Sequence, residues 1–452
     1  MAIHDTVADT GGFDSLREVL AKANEPKTGD ELAGIAADSD AERVAAKRAL
    51  AGTTIETLRE NPVVPRGEDE VTRVIQESVR EPVYDGIREW TVSDLREFLL
   101  SESTTEREIA GIRPGLTSEV VAAVAKLMSN MDLVLATSKM SVPATCNTTV
   151  GLPGTLSFRL QPNDPADDVG RIIDSTREGL SYGVGDAVIG INPVEDGVET
   201  TTAILEATHE FVEEWEIPTQ NCCLAHVTTQ VEAIEEGAPA DMLFQSLAGT
   251  EAGNDEFGVD VETLDEAHAV AQKRCTSSGP NVTYFETGQG SELSGDAHED
   301  VDQLTLESRC YGLARRYDPF LVNTVVGFIG PEYLYDARQV TRAGLEDVFM
   351  GQLHGIPMGI DACYTNHIQA DQNDIENLAV LLTAAGANYF ISVPMGDDVM
   401  LNYQSNSYHD AAALWEVYDR EPTPEFREWL SEMGIWRDGR LTERAGDPTI
   451  FT

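Results

Sequence analysis

Arg159, Gln161, Asn192, His226, Gln245, Ser246, Glu286 and Asp361 each stand where a run of apolar or β-branched residues stops. A polar side chain at such a stop is delivered to the edge of a core, where little water competes for it. Arg159 and Gln161 lie two apart, so in an extended strand they point to the same face. Any one of these residues could be a polar group satisfied in a loop; the whole set at the ends of apolar runs is harder to explain that way. Two carboxylates, Glu286 and Asp361, and one guanidinium, Arg159, leave a charge of −1 in a site that must exclude water. Buried charge is costly unless it is paired. A small cation with hydrogen-bonding groups restores neutrality: an ammonium on the carboxylates, and a neutral oxygen on Arg159, Gln161 and Asn192. A small amino alcohol fits that description. Two other chemistries use the same residues. Glu286 and Asp361 could serve as acid and base or as metal ligands in a hydrolase or an aldolase-type lyase. A degenerate scaffold would bind the same solute without turnover.

The elements that must position these groups follow from the pattern of the chain. Eight apolar runs occupy Ser157–Gln161, Asp186–Asn192, Asn221–Thr228, Met242–Gly249, Val282–Gly288, Leu321–Gly327, Ile356–Cys363 and Tyr389–Met395. Most are separated by amphipathic stretches, among them Pro165–Glu178, Thr200–Glu213, Val261–Lys273, Asp302–Arg316, Tyr333–Gly351 and Asp374–Ala385. Strand–helix alternation predicts a parallel sheet with crossover helices, and eight units over about 250 residues predict a closed (β/α)₈ TIM barrel. A doubly wound open sheet would want a Gly-rich turn after its first strand, where this chain has Pro162-Asn163-Asp164. Barrel chemistry sits at the C-terminal strand ends, where the polar residues lie. The barrel is expected within residues 113–400. Residues 1–112 read as a helical N-terminal region with capping signatures at Ser39/Glu42, Thr53/Glu56 and Thr105/Glu108, and the first dozen residues as poorly ordered. Residues 401–452 read as a mainly helical tail.

Other patterns carry less. Cys222-Cys223-x-x-His226 lacks a second ligand pair at zinc spacing. Asp296-x-His298 begins like a cobalamin-ligand motif, but its sixth position is Val301 rather than Gly. Met400 reads as core packing. Six cysteines in 452 residues are no disulfide framework. No run reaches the eighteen apolar residues of a membrane span, and the N-terminus lacks the basic and apolar regions of a secretion signal. A formal charge of −48 disfavours nucleic-acid backbones. A cytoplasmic protein without membrane or nucleic-acid partners is expected.

Longer blocks carry a resemblance. Arg159-Leu160-Gln161-Pro162-Asn163-Asp164, Gly185 to Pro193, Tyr284 to Ser291, Asn323 to Tyr335, Asp361 to His367 and Gly396-Asp397-Asp398 resemble the large subunit of ethanolamine ammonia-lyase, in that family's order. The resemblance runs from about residue 16 to the C-terminus. It implies a (β/α)₈ lyase that uses adenosylcobalamin to convert ethanolamine to acetaldehyde and ammonia by radical chemistry. By motif, it implies Arg159, Gln161, Asn192, Glu286 and Asp361 at the substrate, with Glu286, Asp361 and Arg159 doing the catalytic work. It also implies Pro193, Gln245, Ser294 and Met400 against the cobalamin, and Glu256 on the adenosyl ribose. For Met400 this replaces the packing reading. No metal ligand comes from the protein, because the family binds cobalamin with its own base attached. The resemblance further implies a small-subunit partner, homo-oligomerisation of large subunits, and a cytoplasmic setting, free or within an ethanolamine-utilisation microcompartment. Cys363 lies two residues past Asp361, and an inward thiol would endanger a radical, so it is expected to face away.

The acidic excess is spread along the whole chain: 79 Asp and Glu against 31 Lys and Arg. Such self-repulsion weakens the compact state in dilute buffer, and molar salt screens it by shrinking the Debye length to about 3 Å. A halophilic host is the expectation. The melting temperature should rise between dilute buffer and molar KCl; a flat or falling curve would count against it.

Overall fold

The computed structural model describes residues 11–365 and 367–451; the segment 1–10, most of the stretch expected to be poorly ordered, lies outside them. Eight short strands form one parallel sheet: β1 Ser157–Leu160, β2 Val188–Ile191, β3 Asn221–Cys223, β4 Leu243–Ser246, β5 Thr283–Thr287, β6 Leu321–Val326, β7 Met358–Ala362 and β8 Tyr389–Ser392. Their hydrogen-bonded order is β3-β2-β1-β8-β7-β6-β5-β4, so β8 pairs with β1 and the sheet curls into a nearly closed barrel. The crossover helices lie outside it, as the alternation predicts.

The remaining seam, between β3 and β4, is closed by side chains. Phe244 of β4 turns its backbone groups toward the seam, and both are taken by the amide of Gln230. Gln230 Oε1 accepts from Phe244 N at 2.9 Å, and Gln230 Nε2 donates to Phe244 O at 2.8 Å. At the lower end Asn221 and Asp241 exchange backbone-to-side-chain bonds of 2.9 Å across the same gap. A buried edge strand needs partners for its backbone, and here two amides and a carboxylate supply them. The expected third strand, Asn221–Thr228, is cut short at Cys223. His226 instead caps the helix Val227–Glu236, accepting from Thr228 N on its Nδ1. The expected Thr53 cap is likewise displaced: Thr53 ends the helix Asp40–Gly52, and Thr54 caps the next. The full box at Thr105/Glu108 forms.

Inside the barrel sit Val188, Cys222, Met242, Phe244, Tyr284, Leu321 and Tyr389. Gly359 leaves the space that Tyr389 fills, since a Cβ there would lie 2.2 Å from the ring. A hairpin, Ala144–Thr145 and Thr149–Val150, plugs the lower end, where Thr148 donates to Asp186 O at 2.7 Å.

The N-terminal helices cover one flank of the barrel. The helix Ser118–Lys126 is buried at all nine positions, and the barrel helix Gln303–Ala314 beneath it at all twelve. That burial traps charge, and the charges pair. Lys126 reaches Asp302 at 2.6 Å, Lys27 reaches Glu346 at 2.6 Å, and Arg309 bridges Asp69 and Glu119 at 2.7 and 2.8 Å. Asp302 and Asp69 also cap helices, accepting from Thr305 N and Thr72 N. Removing one partner would leave the other buried and alone, which typically costs about 3–5 kcal/mol.

Several carboxyls in this interior have no cation of their own. Burial pushes Asp347 up to about 7 and Asp186 and Asp30 up to about 6, Asp30 also feeling Asp302. Glu307 is raised well above its ordinary value, by burial and then by Asp347. Between about pH 4 and 7 the native chain therefore holds protons that the unfolded chain has released. Stability from these groups is full below that window and is lost as pH rises through it. At constant high salt the melting temperature should fall between about pH 5 and 8, and Asp347→Asn should flatten the slope. A rising melting temperature across that range would contradict the assignment.

Candidate active site

At the C-terminal end of the barrel a cavity of about 370 Å³ is lined by Gln161, Asn192, Glu286 and Asp361 from four strand ends. Apolar residues, including Phe244, Val325 and Phe328, form most of the remaining wall. Arg159 stands behind this lining and has no exposure. Its Nη1 meets Glu286 Oε1 at 2.5 Å and donates to Tyr284 OH at 2.6 Å, while Nη2 donates to Asn192 Oδ1 at 3.0 Å. Gly190 makes room for it, since a Cβ there would lie 2.7 Å from Arg159 Nε. Burial alone would lower the pKa of Arg159; Tyr284 and Glu286 beside it hold it above its ordinary value.

Glu286 Oε1 is saturated. It accepts from Arg159, from Tyr284 OH at 2.5 Å and from Asn323 Nδ2 at 3.4 Å. That leaves Oε2 as the oxygen available to a ligand. Across the cavity Asp361 is buried and accepts from Ser405 Oγ. Burial pushes Asp361 up to about 7; the Ser405 and Tyr403 hydroxyls oppose this, and Glu286 reinforces it. Below that pH the site carries one negative charge fewer than the simple count of its carboxyls.

The loops after β7 and β8 complete the mouth. Two-residue strands Tyr364–Thr365, Asp397–Asp398 and Tyr403–Gln404 form a small antiparallel sheet over it. The Tyr403 ring stands edge-on to Phe328 of the loop after β6, with centroids 5.2 Å apart. Asp398, buried in this cap, accepts from Gln161 Nε2 at 2.7 Å and Asn163 Nδ2 at 2.8 Å on one oxygen. Its other oxygen accepts from Met400 N at 3.0 Å and Leu401 N at 2.7 Å.

Several expected residues take other places. Pro193, Ser246 and Met400 line the cavity. Gln245 is buried, its amide engaged with Val227 N and the Ser246 carbonyl, each at 3.1 Å. Ser294 and Glu256 are exposed near each other on the rim, where Glu256 packs by Gly295. His226 is not brought to the cavity; its Nε2 lies 3.0 Å from Phe257 O. Cys222 points into the barrel core and Cys223 into the outer one, so Cys222, Cys223 and His226 do not converge. Cys363 is fully buried, its thiol donating to Val326 O at 2.8 Å. Burial, then Asp361, raise its pKa well above the ordinary value.

Five polar residues of the site escape a reading of strand ends: Tyr284, Asn323, Asp398, Tyr403 and Ser405. Tyr284 had a usable signal, since it sits two before Glu286 and shares its strand face. Asn323 had one too, as a lone amide inside Leu321–Val326. Asp398, Tyr403 and Ser405 reach the site through a long-range fold of the chain and carry no local mark.

Comparison with known sequences agrees on one family. Residues 12–444 match the family described as ethanolamine ammonia-lyase large subunit. A protein named ethanolamine ammonia-lyase large subunit from Salmonella typhimurium is 57% identical over 439 residues, 97% of each chain. Its namesake from Escherichia coli is 56% identical over the same length and 97% of each chain. Among solved structures, a DAHP synthase from Thermotoga maritima aligns with 64% of this chain and 75% of its own, at 12% identity and a TM-score of 0.37. A score that low carries no argument.

The raised pKa of Asp361 gives the site a measurable signature. A small organic ammonium must displace its proton below about pH 7, so affinity should rise up to that pH and level off above it. Calorimetry in buffers of different ionisation enthalpy should find close to one proton released per cation at about pH 6 and almost none at about pH 8.5. No release at the lower pH would refute the role given to Asp361.

Proposed function

The chain belongs to the ethanolamine ammonia-lyase large-subunit family, and from that premise we propose that it is the catalytic subunit converting ethanolamine to acetaldehyde and ammonia. One observation carries the residue roles: in the 370 Å³ cavity, carboxylates of Glu286 and Asp361 face the same space as the amides of Gln161 and Asn192. Glu286 Oε2 and Asp361 hold the ammonium and can take up or return its proton as the nitrogen moves between carbons. Gln161 and Asn192 hold the hydroxyl. Arg159 acts from behind, holding one oxygen of Glu286 and orienting Asn192. Fixed dipoles in a dry cavity act more strongly than they would in water.

The mouth fits a large cofactor with an apolar face. Beside Pro193 and Met400, the loops leave Met395, Val399 and Val194 exposed at 77%, 69% and 54%. We assign Pro193, Met400, Gln245 and Ser294 to adenosylcobalamin and Glu256 to its ribose; Gln245 takes part only by exchanging its present bonds. When bound, the cofactor supplies the radical that takes hydrogen from the hydroxyl-bearing carbon. The chain's own part is to exclude water and hold the substrate still. Cys363 is not among the residues lining the cavity, and its thiol is tied to Val326 O. A small subunit and further large subunits complete the assembly in a cytoplasm, free or inside a microcompartment. None of the helices of the described residues is long and apolar enough to cross a membrane.

Assembled with a small subunit, adenosylcobalamin and ethanolamine in molar KCl, the protein should release acetaldehyde. A folded, assembled complex that releases none would overturn the proposal. Glu286→Gln should lower kcat by about 10²–10³ while leaving cobalamin binding intact; wild-type turnover would remove Glu286 from the mechanism.

A further inference from the structure

Of the two carboxyls the cavity presents, Glu286 is paired with Arg159, while Asp361 has no ion pair among the described residues. Charged and titratable groups face Asp361 from several elements: Glu286 from β5, Arg159 from β1, Tyr403 from the cap, and Cys363 from its own strand end. Burial and Glu286 disfavour its ionised form, and Ser405, Tyr403 and Arg159 favour it. Cys363 adds no charge, because its thiol stays protonated on Val326 O. Ser405 is the neighbour that geometry commits to this role. It has no exposure, and its Oγ donates to Asp361 Oδ1 across 44 residues of chain. Its backbone is held on both sides: N donates to Gly396 O at 3.1 Å, and O accepts from Gln372 Nε2 at 3.1 Å.

We infer that Ser405 is a positioning residue for the ammonium site: from the cap over the mouth, its hydroxyl holds Asp361 in the ionised form that binds a cation. A hydroxyl donates more strongly to a carboxylate than to a carboxylic acid, so a fixed Ser405 favours loss of the Asp361 proton. The cap that covers the cavity thereby also sets the pH range over which the barrel takes up its ligand. This rests on the reading that Asp361 holds the ammonium, and it names what keeps that carboxylate available near neutrality. The consequence is confined to one side of the titration. Where Asp361 is already ionised in the empty site, Ser405 serves the empty and the occupied states equally, and its removal leaves affinity unchanged. At lower pH the ligand must displace a proton, and without Ser405 that proton is held more tightly.

The test is calorimetry of ethanolamine binding to the enzyme assembled with its small subunit and hydroxocobalamin, which cannot start the radical reaction. Ser405→Ala should lower affinity about tenfold at about pH 6 and less than about twofold at about pH 8.5, the mark of one lost donor. At about pH 7.5 the protons released per cation should rise from about a quarter in the wild type to about three-quarters in the variant. Should Ser405→Ala not fold, Ser405→Cys, a weaker donor of similar size, must move the profile the same way. A folded variant with wild-type affinity at both pH values overturns the inference. So does an equal loss at both, which is the mark of packing alone. A wild type that releases no proton at about pH 6 refutes the reading that Asp361 holds the ammonium, and this inference with it. A shifted profile in an enzyme that forms no acetaldehyde with adenosylcobalamin would refute the lyase reading and leave the role of Ser405 standing.

Discussion

A guanidinium with no exposure, set inside a ring of eight strands, is the constraint around which this molecule is arranged. Arg159 cannot shed its proton, and its burial is tolerable only because Glu286, Tyr284, Asn192 and the Gly190 carbonyl meet it. Each of those contacts is delivered by a different requirement of the barrel. Register sets Arg159 beside Val188 on β2, a glycine at 190 clears the space, and β5 brings Tyr284 and Glu286 on one face. With Arg159 in place, one oxygen of Glu286 is consumed and the other is freed for a ligand, and Asn192 becomes a donor. The site's polarity is thus a consequence of where one cation is buried.

The same principle operates on a larger scale outside the barrel. The N-terminal helices bury the barrel helices Gln303–Ala314 and Ala337–His354 on faces that would otherwise meet water. Lys27, Lys126 and Arg309 are all fully buried and all matched to carboxylates. Such pairs add little net stability over apolar packing, but they penalise any alternative docking that separates them. The unmatched carboxyls, Asp347 and Glu307, instead have their pKa raised by burial. In a chain of net charge −48 cations are scarce, yet several of them are buried in the interior.

The mouth is built differently. Its cap is assembled from two-residue strands in the loops after β7 and β8, carried by backbone that includes Met395 at φ 55° and Asn402 at φ 59°. Left-handed backbone at non-glycine residues persists only where surroundings over-determine it. Asp398 is one such determinant, joining the end of β1 to the loop that carries Met400. The cavity amide of Gln161 and the half-buried Met400 are therefore linked through one carboxylate.

Much of this was legible before any coordinates. Alternation of apolar runs with helical stretches predicted the eight-stranded barrel because strand and helix periods are local properties of the chain. Arg159, Gln161, Asn192, Glu286 and Asp361 could be picked out because a polar residue ending an apolar run is a local signal, and family motifs added Pro193 and Met400. His226 was misplaced for the same reason: a histidine that continues an apolar run and one that caps the following helix look alike in sequence. What only the tertiary structure decided is which atoms face which. Tyr403, Ser405 and Asp398 enter the site across more than thirty residues of chain from Asp361 and more than two hundred from Gln161. The direction of each amide depends on the charge behind it. Residue type declares what a group can donate or accept; long-range packing alone determines which capacity is already consumed and which remains for a ligand.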